Sequence, residues 1–201
     1  MAIKESSDEL NPAVTVSPSA VAPRQRRTGA DYLALAIATC GVGYFPIAPG
    51  TLGSLVAIAV YVPLEYFVRI QWMPSSTSAL PAEMCWLTIR LFLIFVVTMV
   101  GVWGATRAER LLQIKDPGIV VIDEVAGQMI ALLSIPLFVP GWLPVFTAFI
   151  FFRAFDIWKP YPIRRMEALE SGLGIMADDV LAGIYALILN SILVSLQLRF
   201  V

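Results

Sequence analysis

Two short strings place carboxylates side by side in apolar surroundings: "DEVAG", Asp123 to Gly127, and "DDVLAG", Asp178 to Gly183. A carboxylate at the bilayer centre costs about 3 kcal/mol on insertion scales, so such pairs are expected to have a use. One acid suffices to cap a helix N-terminus, where the macrodipole favours negative charge by about 0.3–1 kcal/mol. Neighbours on a helix point in different directions, so the second acid of each pair needs its own partner. Capping and a divalent cation held between helices are both open readings at this point.

A third string, "FRAFDIWKPYPIRR" from Phe152 to Arg165, puts Asp156 and Lys159 three residues apart, on one helix face if the helix reaches Pro160. Its plain reading is an interfacial salt bridge, with Pro160 and Pro162 ending the helix. Its chemical reading makes Asp156 a metal ligand and Lys159 a phosphate clamp. Arg153, Arg164 and Arg165 then help bind an anionic lipid headgroup. In "PIAPGTLGS", Pro46 to Ser54, the N–H groups around Gly50 and the hydroxyls of Thr51 and Ser54 suit a phosphate cradle at a helix N-terminus. A helix break with a threonine cap accounts for it equally well. "SGLGIMADD" reads as a loop in which Gly172 and Gly174 are flexible points delivering Asp178 and Asp179. Glu109 reads as a surface partner in the turn of Arg110 rather than a ligand.

The elements that must position these residues are membrane helices. Of 201 residues, 58% are hydrophobic and 14% charged, and the mean hydropathy is +0.78. Soluble domains are about 45–50% apolar and about 25% charged. The net charge of −1 excludes a basic face for nucleic acid. Cys40 and Cys85 suggest neither a disulfide framework nor a zinc site. The chain has no histidine, so any metal must be held by oxygen, which suits Mg²⁺, Mn²⁺ or Ca²⁺.

The fold expected is an all-α polytopic bundle. Residues 1–30 form a flexible cytoplasmic tail, and residues 31–201 form the membrane-embedded domain. A broken or re-entrant segment, interrupted by Gly41, Gly43, Pro46, Pro49 and Gly50, comes first. About five spans follow: Thr51–Val68, Trp86–Gly104, Val125–Val139, Leu143–Ile157 and Val180–Leu198. Lys4, Arg24, Arg26, Arg27, Arg107, Arg110, Lys115, Lys159, Arg164 and Arg165 then share the cytoplasmic side, as the positive-inside rule requires. Asp116, Asp123, Glu124, Asp156, Asp178 and Asp179 collect at the same edge.

Carboxylates with Lys and Arg at a membrane surface suit phosphoryl chemistry on a lipid headgroup. A cysteine phosphatase loop, C-x5-R, is absent, since Pro46 and Leu91 stand where its arginine belongs. Histidine-dependent routes are excluded, and no D-x-D nucleophile motif occurs. Metal-assisted hydrolysis on a carboxylate cluster remains. The rival reading is a cation transporter or channel subunit, but a transport path predicts acids spread through the membrane depth. A CDP-alcohol phosphotransferase lacks its long aspartate signature here.

"PIAPGTLGS", "KDPGIVVIDEVAG" and "FFRAFDIWKPYPIRRMEALESGLGIMADDVLAGIYA", in this order over Gly41 to Ala186, resemble the phosphatidylglycerophosphatase A family of bacterial inner membranes. The resemblance implies Mg²⁺-dependent removal of the terminal phosphate from phosphatidylglycerophosphate, giving phosphatidylglycerol, on the cytoplasmic side. The residues it carries are Asp116, Asp123, Glu124, Arg153, Asp156, Lys159, Pro160, Asp178 and Asp179. On this reading Asp123, Asp156, Asp178 and Asp179 hold one or two Mg²⁺, and Glu124 is a ligand or general base. Lys159 and Arg153 neutralise the phosphomonoester, Arg164 assists, and the Gly50–Ser54 turn donates N–H groups.

Overall fold

In the computed structural model, which describes residues 27–72, 79–135 and 141–200, the chain runs through seven helices. These are α1 (Gly29–Thr39), α2 (Pro49–Trp72), α3 (Ala79–Leu112), α4 (Ile122–Leu132), α5 (Leu143–Trp158), α6 (Ile163–Met166) and α7 (Ser171–Phe200). The described residues contain no strand, as the apolar composition and long hydrophobic runs lead one to expect. Most of the tail expected over residues 1–30 lies outside the described residues.

Local chemistry sets the ends of these helices. Asp31 in the first turn of α1 accepts hydrogen bonds from the Thr28 backbone N–H at 2.6 Å and from its hydroxyl at 2.8 Å. That helix ends where Cys40 and then Gly41 take left-handed conformations. Pro49 opens α2, a position where its missing N–H costs nothing. Lys159, with φ +46°, ends α5 ahead of Pro160.

Among the described residues, three stretches are long and apolar enough to cross a membrane: Pro49–Val68, Glu83–Leu112 and Ser171–Arg199. Their outward faces carry exposed Val60, Phe67, Phe92, Phe95, Ile188 and Leu196, the inverse of a soluble surface. The expected span at Val125–Val139 overlaps α4 and that at Leu143–Ile157 coincides with α5, both helices being shorter than those three. With 11 residues, α4 rises about 16 Å, and with 16 residues α5 rises about 24 Å, against a hydrocarbon core of about 30 Å. Residues 136–139 of the first of these lie outside the described residues. The broken first element is the 11-residue apolar helix α1 and the turn leading to α2.

Two apolar clusters fill the interior, and α4 contributes to both. One joins α4 to α1, α2, α3 and α7 through Ala38, Ala57, Ala105, Ala108 and Ala126. The other joins it to α2, α5, α6 and α7 through Ala131, Ala148, Phe152, Ala182 and Ala186. Small residues at these crossings let backbones approach, which is how helices associate where water supplies no hydrophobic drive. The 11-residue α4, as short as α1, is therefore the most enclosed, and its first turn carries Asp123 and Glu124.

The expected loop "SGLGIMADD" is helical instead, because α7 begins at Ser171. Gly172 and Gly174 are not flexible points. A Cβ on Gly172 would stand 2.5 Å from the Thr106 backbone nitrogen, so its bare Cα lets α7 lie against α3. The Gly172 N–H donates to the Thr106 hydroxyl at 3.2 Å.

Candidate active site

Side-chain oxygens of Asp123, Glu124 and Asp179 lie within 4.8 Å of one another. Asp123 and Asp179 are only 9% and 3% exposed. The close crossing of α4 and α7 brings them together. A Cβ on Gly127 would stand 2.6 Å from the carbonyl oxygen of Asp179, and one on Gly183 would stand 3.0 Å from the Cα of Gly127. Each glycine lies four residues, about one turn, beyond its acid, so the bare Cα atoms set the distance between the carboxylates. The likeness of "DEVAG" to "DDVLAG" thus has a structural use: acid and glycine recur at one spacing on both sides of the crossing.

Capping does not account for these acids. Val121, the residue before α4, offers no side-chain cap, and Asp123 Oδ1 and Glu124 Oε2 are buried without a hydrogen-bond partner. Asp178 and Asp179 lie two turns inside α7, away from any free N–H groups. Buried carboxylate oxygens left without partners cost about 1–3 kcal/mol each, more when charged. Oxygen donors of this kind fit a hard divalent cation, so the residues present suit a metal held by Asp123, Glu124 and Asp179.

The remaining expected residues surround that cluster. Asp156 pairs with Arg153 at 2.5 Å, one turn back on α5. Lys159 does not pair with Asp156, because α5 ends before it and its left-handed backbone turns the side chain elsewhere. Its Nζ donates to Asp178 and to Glu167, each at 2.6 Å. Burial alone would lower the Lys159 pKa, but hydrogen bonds and charge from those two acids outweigh it and raise the value. Lys159 therefore stays cationic throughout the physiological range. Of the four carboxylates expected as ligands, Asp123 and Asp179 converge with Glu124, while Asp156 and Asp178 each hold a cationic side chain.

The first turn of α2 forms one wall. A Cβ on Gly50 would collide with Glu124 Oε1 and stand 3.3 Å from the guanidinium of Arg153. Within that turn the Leu52 N–H bonds back to the Ala48 carbonyl, and earlier N–H groups of a helix have no intrahelical acceptor. Thr51 is half-buried. Ser54 is fully buried and its hydroxyl donates to the Gly50 carbonyl at 3.2 Å.

Exposed Arg164 and Arg165 flank a cleft that also takes in Trp158, Lys159 and Tyr161. The Arg165 guanidinium lies 4.9 Å from the Tyr161 ring centroid. On the other side of Asp178, a cavity is lined by Glu109, Lys115, Asp116 and Glu167. Glu109 faces that cavity and has a buried oxygen without a partner, so it is more than the surface residue its sequence context suggests.

Sequence reasoning missed Glu167, which sits in an ordinary-looking charged stretch with no signal for its pairing with Lys159. It also missed the role of Gly127 and Gly183, for which the repeated acid-to-glycine spacing was the available signal. The acids around Asp123 gather in one cluster, so the cation-transport alternative finds no support.

Residues 35–194 match the family described as Phosphatidylglycerophosphatase A. Among curated relatives, a Bacteroides thetaiotaomicron protein named "Putative phosphatidylinositol-3-phosphatase" is 39% identical over 152 residues, covering 76% of this chain and 87% of that protein. The Phosphatidylglycerophosphatase A of Escherichia coli is 34% identical, covering 72% of this chain and 73% of its own. The protein of the same name from Haemophilus influenzae is 37% identical, covering 74% and 80% respectively. No solved structure matches the chain. With four-fifths of its length inside the match and the acidic crossing of α4 and α7 at its centre, the chain belongs to the phosphatidylglycerophosphatase A family of lipid phosphatases.

Proposed function

We propose that the chain hydrolyses the terminal phosphomonoester of phosphatidylglycerophosphate, giving phosphatidylglycerol and phosphate, with Mg²⁺ at the cluster of Asp123, Glu124 and Asp179. The observation that carries this reading is a set of buried carboxylate oxygens without partners, beside a guanidinium and a helix N-terminus. When bound, the metal supplies charge neutralisation and polarisation of the phosphoryl oxygens.

The chain's own residues bind and orient. Arg153 and the free N–H groups at the start of α2 receive the phosphoryl oxygens, the guanidinium as a planar donor and the helix end through its dipole. Asp156 fixes the rotamer of Arg153, and Asp178 with Glu167 fixes Lys159 at the rim. Glu124, beside Arg153 and Gly50, is placed to take a proton from an attacking water. The new P–O bond forms from water, the ester P–O bond breaks, and the glycerol oxygen leaves with a proton. Asp116 stands with Asp178 at the cavity between α3 and α7.

The membrane frame belongs to the same proposal. The protein is multi-pass in a bacterial inner membrane, α4 and α5 complete the bundle as short membrane-buried helices, and the acidic cluster faces the cytoplasm. Its support is the basic bias of Arg107, Arg110, Lys115, Lys159, Arg164 and Arg165 around the helix ends that carry the acids.

The test is phosphate release from phosphatidylglycerophosphate by detergent-purified protein, with Mg²⁺ and with EDTA, for wild type and for Asp123→Asn. Release that needs Mg²⁺ and vanishes in a folded Asp123→Asn supports the reading, and release indifferent to EDTA rejects the metal. The relative named for phosphatidylinositol 3-phosphate makes that lipid the comparison substrate. A higher kcat/KM on it would transfer the chemistry to the other headgroup.

A further inference from the structure

We propose that the apolar groove between α2, α3 and α4 holds one acyl chain of the lipid whose phosphate is cleaved at the acidic cluster, an inference that rests on the lipid-phosphatase reading above. The groove is lined by Val56, Val60, Leu93, Val97, Val125 and Met129, among other apolar side chains. Its near end lies next to the site. A Cβ on Gly53 would stand 3.4 Å from the Cβ of Glu124. One turn further along α2, Val56 and Ala57 meet Val125, the residue after Glu124, at the mouth of the groove.

The far end is closed. Arg90 donates to the Tyr61 hydroxyl at 2.7 Å and to the Ile135 carbonyl at 3.1 Å. The Trp86 indole N–H donates to Glu65 at 2.9 Å. These four side chains are at most 9% exposed, and they turn their polar ends toward one another. From Val56 to Leu64 on α2, and from Val125 on α4 to Leu133 just past its end, the walls run eight residues, about 12 Å. One leaflet of the hydrocarbon core is about 15 Å deep. The lip is open sideways, with Val60 60% exposed and Ile89 41% exposed, so a chain enters from the bilayer without leaving it. Cations and helix N–H groups at the mouth, and a dry channel about one leaflet deep below them, match a phospholipid end to end.

The experiment compares two substrates with one headgroup: short-chain dihexanoyl and long-chain dipalmitoyl phosphatidylglycerophosphate. Val97→Phe and Val60→Trp fill the groove, and Ile188→Trp on the exposed face of α7 is the control. Both groove variants are expected to raise KM for the long-chain substrate severalfold, because filling the groove removes the packing contacts that favour it over bulk lipid. The short-chain substrate and the control are expected to behave as in wild type. Equal losses on both substrates, or none, overturn the groove while leaving the phosphatase standing. If wild type releases phosphate from neither, the parent reading fails, and the groove is read separately with a phosphatidic acid carrying a diazirine on its acyl chain. Labelling of residues 56–64 and 89–97 that Val97→Phe suppresses supports the groove, and labelling unchanged by it overturns the proposal.

Discussion

Replacing Gly127 by alanine tests whether the α4–α7 crossing sets the chemistry. The added Cβ would stand 2.6 Å from the carbonyl oxygen of Asp179 and 2.8 Å from Cζ of Phe152. The first obstacle is backbone and cannot rotate away. Reaching an ordinary 3.4 Å contact requires the helices to part by about 0.8 Å, and that movement carries Asp179 directly away from Asp123 and Glu124. Misplacement of about 1 Å costs on the order of a hundredfold in rate, so kcat is expected to fall by tens of times to a hundredfold. Overpacking of this size costs about 1–3 kcal/mol, a thermal shift of a few degrees that leaves the protein folded. Gly104→Ala is the control. Its Cβ would meet the Ala34 carbonyl oxygen at 3.3 Å, which needs almost no movement and lies outside the cluster. The assay is Mg²⁺-dependent phosphate release beside thermal unfolding in detergent. A folded Gly127→Ala enzyme with wild-type kcat would refute the reasoning, since the carboxylate spacing would then not depend on that crossing.

Two more outcomes follow from charge. Hydrogen bonds from the Thr28 backbone and the Arg107 side chain hold the Asp31 pKa at about 2, below its ordinary 3.8. A depressed carboxylate stabilises the fold above its unfolded pKa and loses that contribution as pH falls through the folded value. Asp31→Asn should therefore unfold at lower temperature than wild type at neutral pH, with the gap closing between about pH 4 and pH 2. A gap independent of pH would remove the ion pair as its cause. Mg²⁺ at about a hundred times its Kd should stabilise the wild type by about 2.7 kcal/mol, a rise of roughly 5–10 °C for a chain of this length. Asp123→Asn should lose most of that rise, and an equal rise in both would move the metal elsewhere.

How much of this was legible in the sequence depends on what each residue answers to. The acids, the lysine and the arginines were readable because an ionisable group in an apolar run needs a reason. The extent of the helices around them was less so. The first turns of α7 were read as a loop because two glycines in four residues look like a break. In the fold they are where α3 and α7 touch, and glycine propensity yields to packing of that kind. Hydropathy also made full spans of α4 and α5. Enclosed on all sides by α2, α3, α5 and α7, α4 is apolar because it is core, and a window of hydropathy does not separate protein from lipid as the neighbour. Arg90 lies inside the expected span Trp86–Gly104 and Glu65 inside Thr51–Val68, neither with a local signal for its partner. Their partners, Tyr61 and Ile135 for Arg90 and Trp86 for Glu65, lie 21 to 45 residues away in sequence, which no local pattern reports.

The electrostatics of the site explain why such a helix tolerates its acids. Three carboxylates with oxygens within 4.8 Å repel by about 3–4 kcal/mol per pair at an effective dielectric of about 20. The three pairs together approach the whole stability of an ordinary domain, about 5–15 kcal/mol. The nearby cations do not cancel this. Arg153 is engaged by Asp156, and Lys159 by Asp178 and Glu167, so six acids share two positive groups. A phosphomonoester brought to that site adds further negative charge, so the ionised acids oppose one another and the substrate alike. A divalent cation among Asp123, Glu124 and Asp179 relieves both at once, because it offsets the mutual repulsion and leaves Arg153 and the α2 N-terminus free to face the phosphate. The two adjacent acids of α4 are then not a fault in an apolar helix. On the proposed function they are one side of a charge balance whose other side is the metal.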